Sequence, residues 1–582
     1  MSAKFDRYQS PEAPVPDETW AWNMYGAGVE NIGRDGKPEK VLVPEPEPDQ
    51  LLLRVDAVGM CFSDVKLIKQ GGSHPKLYSR DLATNPTRLG HEATHTVMKV
   101  GEALRDQFYP GQRLALQPDI YQQGRSTAYG YTIPGGLIEF HAIGPEVLDA
   151  DAGSYVIPLE GDIGYAEAAL TEPWACVEAA YTQRRRLAPK PGGTMWIVGH
   201  PDDPAQYAFS SGLDAPATFF VTDLPSGLLK LVQEEAAERG AEVVARNGLA
   251  PADYQDLSAD VTGGAGFDDI VILDPRSAQM VSEAAKLIAR RGTFNLVGRE
   301  PVDGRVQIDV GRIHYDYTAY LGNSGPDIAA SYGEERNRCE LRAGGTAVFV
   351  GAAGPMGQMH VQRAIELPNG PRVVIATDIN SERLAALEES FVPLARERGK
   401  RLIPFNPSEV EESLLDLVMR ETDGQGADDV VVCVPVAPLM AESAQLMAPD
   451  GMLVLFAGVP NGTMAPLDMS VVYLRNAQYT GTSGSTMDDQ RMVVRKTLAG
   501  ELSPNRSVAA IGGMEAAQDS VRAMMEGDYP GKIVVFPQIT DVPLTGLSEL
   551  KETMPDVAEH LGPGDVWTRE AERELIERFW RP

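Results

Sequence analysis

GGTAVFVGAAGPMGQMHVQRAIELPNGPRVVIATD, residues 344–378, carries the strongest fold signal in this chain. TAVFV reads as a buried strand, a glycine-rich turn follows, apolar residues then recur at helical spacing, and VVIAT is a second buried strand ending at Asp378. Glycines permit a tight turn and close backbone approach, while the helix N-terminus offers amide donors and a favourable dipole to a pyrophosphate. Asp378 stands 24 residues after Gly354, where an acid can accept hydrogen bonds from ribose hydroxyls. A structural glycine turn is the plainer reading, and this context outweighs it. The expected dinucleotide contacts are Gly351, Ala352, Gly354, Pro355, Met356, Gly357 and Asp378. Asp378 repels a 2′-phosphate and so favours NAD, with Arg383 nearby keeping NADP as the alternative.

Upstream, the same landmarks occur once more. GGTMWIVGH (192–200), FFVTD (219–223), GFDDIVIL (266–273), GTFNLVG (292–298) and GNSG (322–325) precede GGTAVFVGA (344–352), VVIATD (373–378), GADDVVVC (426–433), GMLVLFAG (451–458) and GTSG (481–484) in the same order. Equivalent landmarks are 152 to 160 positions apart, which identifies an internal repeat. Each copy alternates apolar strands with helical segments, the pattern of a parallel sheet covered on both faces. The expectation is two tandem Rossmann-like units, residues 191–340 and 341–485. In the first copy the turn reads IVGHPDDPAQYAF, where prolines remove amide donors and aspartates place negative charge where phosphate would sit. That copy is expected to have lost its phosphate loop, leaving Asp223 as a relic or a solvated strand end.

Residues 38–160 read differently, as short strands split by turn signals: KVLVPEP, QLLLRVDAVGM, ATHTVMKVG, QRLALQP and GGLIEFHAI. A compact β domain over residues 1–190 is expected, left through the helical stretch EPWACVEAAYTQRRRLA. Residues 486–543 end in KIVVFPQI, a strand able to return to that domain, and residues 544–582 form a charged helical tail without assigned chemistry. The fold class is α/β plus β. A formal charge of −31 argues against nucleic acid partners, no apolar run of about 18 residues exists to cross a bilayer, and the start lacks a secretory signal. A cytoplasmic address follows as the expectation. Cys61, Cys176, Cys339 and Cys433 form no CxxC pair, against a zinc ribbon or a disulfide framework.

The β domain carries GMCFSDVK and LGHEATHTVMKVG, and LTEPWACVEAAY follows it. Cys61, His91, Glu92 and Glu172 offer a thiolate, an imidazole and carboxylates, donor types that zinc accepts in a site with an exchangeable position. Singly, each has a plainer reading: a small buried thiol, a satisfied core histidine, structural acids. Taken together with Ser63, Asp64, Gly90, Val97, Val100, Gly101, Gly111, Gly135, Gly136, Glu139 and Pro173, they resemble the zinc-containing medium-chain dehydrogenases over about 38–190 and 341–540.

That resemblance implies a GroES-like catalytic domain, one catalytic zinc held by Cys61, His91 and Glu92 with Glu172 near it, and hydride transfer between an alcohol and NAD or NADP. It also makes Ser63 the hydroxyl that receives the alcohol proton and puts Lys66 where many relatives have a relay histidine. A lysine's ordinary pKa of about 10.4 is high for such a base, so that role needs burial or a nearby cation. A second use for Lys66 is electrostatic: Lys66, Lys69, Lys76, Arg80 and Arg88 face only Asp64 and Asp81 between Cys61 and Gly90, a basic loop able to hold a substrate phosphate. SDVK with GPMG resembles the L-sorbose 1-phosphate reductase branch, so the expected partner is a polyol, sugar or sugar phosphate, with the subunit count, a homo-oligomer included, left open.

Departures from the family pattern are Ala352 at the first glycine of the loop, His95 for a glycine, Gln112 for an acid, and the absence of the four cysteines that hold a structural zinc. Competing readings are a zinc-free quinone or enoyl reductase on the same scaffold and a dinucleotide-sensing protein without catalysis. Because family members often dimerise through their nucleotide-binding sheets, the first copy is expected to pack against the second as an internal substitute for that partner.

Overall fold

A computed structural model describes residues 3–582. The chain forms two compact units, one comprising the residues through Ala179, Gly354–Met359 and Gly484–Pro582, the other Ala180–Ala353 and His360–Ser483.

The first unit is built on an eight-stranded sheet in the spatial order Val156–Pro158, Arg113–Leu116, Glu92–Val100, Leu51–Gly59, Lys532–Phe536, Val508–Gly513, Thr545–Gly546, with Phe140–Ile143 also on Leu51–Gly59. Every residue of Leu51–Gly59 is buried, because both faces of this strand are covered. One face is apolar; the other buries Arg54 and Asp56 as an ion pair 2.7 Å apart, with Tyr8 and Thr96 hydroxyls each donating to Asp56 at 2.7 Å. Lys532–Phe536 runs antiparallel to Leu51–Gly59 and parallel to Val508–Gly513. The tail contributes the helix Arg569–Phe579, whose buried Glu572 accepts the backbone N–H groups of Tyr165 (2.6 Å) and Ala166 (2.8 Å) and so caps the helix Tyr165–Ala169.

The second unit contains one twelve-stranded sheet. Its first half runs Glu242–Ala245, Thr218–Thr222, Thr194–Val198, Phe267–Leu273, Ile288–Val297, Ala319–Asn323, and its second half, read from the other edge, runs Arg401–Phe405, Val373–Thr377, Thr346–Val350, Ala427–Val432, Met447–Leu455, Gln478–Gly481. All neighbours are parallel within a half, and each half has the strand order 3-2-1-4-5-6 in its own chain direction. The halves join through one antiparallel contact, Tyr320 opposite Tyr479. A second bond between copies is the ribbon Val306–Asp309 with Met464–Leu467.

Ion pairs repeat as well. Arg186 with Asp269 and Lys190 with Asp268 in the first copy correspond to Arg338 with Asp429 and Arg342 with Asp428 in the second. In both, the second aspartate of the pair DD takes a backbone N–H from the loop ahead of the first strand, Lys190 at 2.9 Å and Arg342 at 2.8 Å. The copies differ at their first crossover. The second has the helix Pro355–Glu366 there; among the described residues 199–217 of the first copy forms none, and its polar side chains are taken up locally, Tyr207 donating to Asp203 at 2.6 Å and Asp202 pairing with Arg276 of a later loop at 3.4 Å. The expectation of helical segments between all strands therefore fails at this crossover, where the prolines that remove amide donors remove the helix too.

Candidate metal and dinucleotide sites

The chain leaves the strand Leu51–Gly59, passes Cys61, and enters the helix Asp64–Gln70 at Ser63; the neighbouring strand Glu92–Val100 starts directly after His91. Gly59 lies opposite Glu92, and a Cβ on Gly59 would stand 2.2 Å from Glu92 Oε2, so only glycine leaves that carboxylate its place. The result is a group in which ligand atoms of Cys61, His91 and Glu92 all lie within 4.8 Å of one another. His91 and Glu92 are buried and Cys61 is half-buried.

His91 Nδ1 lies 3.0 Å from Asp64 Oδ1, which leaves Nε2 to face the group. Glu92 Oε1 pairs with the ammonium of buried Lys532 at 2.5 Å, while Glu92 Oε2 has no hydrogen-bond partner among the described residues. Burial works against a charge on His91, yet Asp64 and Cys61 outweigh it and raise its pKa well above the imidazole range. A buried orphan carboxylate oxygen, a thiol and an imidazole held by an acid form a donor set that fits Zn²⁺ with room for a further ligand.

Ser63 Oγ donates to Cys61 Sγ (3.1 Å), lies 3.4 Å from His91 Nε2, and accepts from the Tyr131 hydroxyl at 3.3 Å. Glu172 sits beside the group and outside the closing set. It is buried, its acid is pushed up to about 7 by burial first, with His91 and Lys532 lowering it and Glu92 raising it, and Cys176 Sγ is 3.9 Å from its Oε1. Lys66 is exposed on the helix Asp64–Gln70, so the burial required for a relay base is absent.

The basic loop is also smaller than its sequence suggests. Lys76 pairs with Asp119 at 3.2 Å, Arg80 is bound to Asn85 and to the carbonyls of Thr132 and Pro86, and Arg88 is held by Asn23 and Gly135. Lys66 and Lys69 remain exposed. The pKa of His74 is lowered, by burial first and then by the charges of Lys76 and Lys66.

In the second copy Gly351 turns at φ +75°, and a Cβ there would meet Val434 Cγ1 at 2.3 Å. The N–H groups of Gly351 and Ala352 donate to Thr377 O (2.9 and 3.0 Å), and Asp378 Oδ2 accepts the N–H of Ala353 at 3.0 Å. Strand end and turn are thereby tied at the position where the ribose-binding acid is expected. Ala352 and Gly357 are buried, Gly354 and Met356 half-buried, Pro355 exposed at the first helical position, and Arg383 follows on the helix Ser381–Glu397 capped by Asn380. Asp223 of the first copy has its carboxylate taken by the N–H of Gly248 at 3.0 and 3.1 Å.

Sequence reasoning missed Asp64 as the partner of His91, Lys532 as the counter-ion of Glu92, Tyr131 and Gly59. Asp64 stood within the motif GMCFSDVK without its partner being evident, and Lys532 leaves a trace as a lone cation opening the apolar strand KIVVF.

Residues 47–177 match the alcohol dehydrogenase GroES-like domain and residues 355–499 the zinc-binding dehydrogenase domain. L-sorbose 1-phosphate reductase of Klebsiella pneumoniae is 29% identical over 322 residues, 53% of this chain and 75% of that protein. Uncharacterized protein YggP of Escherichia coli is 30% identical over 312 residues, 50% of this chain and 72% of that protein. Mannitol-1-phosphate 5-dehydrogenase of Aliivibrio fischeri is 23% identical over 549 residues, 92% of this chain and 94% of that protein.

Proposed function

Because this chain belongs to the zinc-dependent medium-chain polyol dehydrogenase family and is an NAD(P)-linked alcohol dehydrogenase, we propose that it interconverts the alcohol and carbonyl forms of a sugar phosphate or polyol phosphate, in the cytoplasm. The observation that carries this reading is the convergence of Cys61, His91 and Glu92 within 4.8 Å, with the Ser63 hydroxyl against two of them. Held by those three side chains, zinc supplies a Lewis acid for the substrate oxygen, and NAD supplies the hydride acceptor.

The chain's own residues do the rest. Asp64 fixes the ring of His91 with Nε2 toward the group, and Lys532 offsets the buried charge of Glu92. Ser63, itself exposed, accepts the substrate hydroxyl proton at its Oγ as it releases its own proton to solvent, while Tyr131, donating to that same oxygen, holds it in position. Buried Glu172 adds a carboxyl beside the ligands. Gly351 opens the turn toward the pyrophosphate, and Asp378 takes the ribose hydroxyls. Exposed Lys66 receives the substrate phosphate; exposure makes it a point charge for binding and removes it from proton transfer. The names of two relatives point to the same substrate class.

A panel of polyols and their monophosphates, assayed with NAD and NADP on the zinc-loaded protein and on Lys66→Ala, tests this. The variant is expected to raise KM for phosphorylated substrates about tenfold or more and to leave kcat and non-phosphorylated substrates unchanged. A uniform fall in kcat would return Lys66 to the proton path, and no turnover of any phosphate would remove the substrate class.

A further inference from the structure

Where the two halves of the twelve-stranded sheet meet, a cavity of about 700 Å³, open mouth included, is lined only by residues between Ala180 and Gly481. Its walls are repeat equivalents. Residues 184–185 face it from one copy and 336–338 from the other, and the end strands Ala319–Asn323 and Gln478–Gly481 both contribute. Arg336 stands 152 positions after Arg184, and Tyr479 stands 159 after Tyr320, so the cavity lies on the pseudo-two-fold axis that relates the copies. In a chain with a net charge of −31 the lining contains four arginines and no aspartate or glutamate.

The polar lining has unmet donors. Arg185 donates to Asn337 Oδ1 and Arg336 O, both at 2.9 Å, and its Nη1 is buried without a partner. Arg336 donates to Gly322 O while its Nε is buried and unpartnered. Among the described residues neither guanidinium is in an ion pair with a carboxylate, whereas Arg338 is paired with Asp429 and leaves only Nε unmet. The buried amide nitrogen of Gln478 and the Thr480 hydroxyl are also unpartnered. Burial lowers the pKa of Arg185 to about 10, the signature of a charge removed from water without a compensating anion. Unpaired buried cations and donors each cost free energy, and an oxyanion satisfies both at once. A phosphate monoester brings three strong acceptor oxygens, more than a carboxylate has, to a lining that holds four arginines and no acid. Ile313, Leu321 and Val472 give the remaining wall an apolar character suited to the organic part of such a ligand.

We propose that this seam cavity is a binding site for a small organic phosphate, separate from the zinc and dinucleotide sites and held by Arg185 and Arg336. Fusion of the copies makes it asymmetric: Arg185 in one copy corresponds to Asn337 in the other, so a single ligand orientation is selected, which a site between two identical chains cannot do.

The test uses the full chain, zinc-loaded and saturated with NAD so that the cofactor's pyrophosphate site is filled. Inorganic phosphate is titrated against chloride at matched ionic strength, and the thermal midpoint is followed for wild type, Lys66→Ala and Arg185→Met/Arg336→Met. A saturable rise of several degrees is expected in wild type and in Lys66→Ala, and its loss in the double variant. A rise retained by the double variant, or phosphate acting no differently from chloride on wild type, overturns the proposal. Should the double variant not fold, Gln478→Leu serves in its place, and tungstate soaked into wild-type crystals gives an independent readout: anomalous density between Arg185 and Arg336 is expected, and its absence there overturns the site. Failure of the Lys66 substrate reading leaves these outcomes untouched.

Discussion

Asp64 and Lys532 stand behind two of the proposed metal ligands, and each sets what its partner can do. Asp64 holds His91 at 3.0 Å, and outer-shell carboxylates of this kind are typically worth 10- to 100-fold in metal affinity. Asp64→Asn is therefore expected to weaken zinc binding by about that factor, read by competition with a chromophoric chelator, with Cys61→Ser as the zinc-free reference. Unchanged affinity would reduce Asp64 to a packing residue. Among the described residues Lys532 is the only ammonium bonded to Glu92, and both are buried. Removing one partner of a buried pair strands the other's charge, so Lys532→Met should destabilise the zinc-free protein by about 3–5 kcal/mol in urea unfolding. Zinc supplies the missing positive charge, and the loss should shrink in the loaded protein; equal losses with and without zinc would contradict the pairing. Cys61, His91 and Glu92 were legible in sequence through their residue types and motif. Asp64 stood inside the same motif, but its orientation toward His91 depends on the helix beginning at Ser63, which no spacing rule specifies.

Among the elements, the C-terminal helix shows how a segment without chemistry supports the fold. Glu572 is buried at the N-terminus of the helix Tyr165–Ala169, and its acid rises from the ordinary 4.5 to about 7 because burial outweighs the N–H groups of Ala166 and Tyr165. A carboxyl with a raised folded-state pKa contributes stability that is complete below about 4.5 and lost as pH climbs through about 7. The neutral amide of Glu572→Gln has no proton to lose. Urea unfolding at pH 5 and pH 8 should show the gap between variant and wild type shifting by roughly 2–3 kcal/mol in favour of the variant at the higher pH. A gap that stays constant would mean Glu572 titrates normally. Strands were read well because buried apolar runs are contiguous, whereas the lost helix at 199–217 was hidden: the prolines announce a missing phosphate cradle and only the coordinates show the whole crossover unwound.

At the level of the whole chain, the duplicated copy completes the sheet. The strand Gln478–Gly481 is covered by Ala319–Asn323 through the Tyr320–Tyr479 contact, so the expectation that one copy packs on the other is met edge to edge, in a continuous sheet. Deleting residues 186–337 removes one repeat in register and puts Arg338 in the place of Arg186. It also bares the edge strand Gln478–Gly481, whose open backbone groups are a template for another chain. The shortened protein should self-associate or precipitate in sedimentation velocity, whereas a monomer at micromolar concentration would show that the first copy is not needed to cover that edge. Local chemistry written along the chain was enough to announce the repeat, the glycine turn and the zinc-type donors, since strand burial, helix N-termini and ligand type depend on near neighbours. The counter-ion of Glu92, the commitment of Arg80 and Arg88 to carbonyls, and the arginine-lined seam depend on residues tens to hundreds of positions apart. Electrostatics and burial act through space, and for those pairs only the folded arrangement says which charges meet.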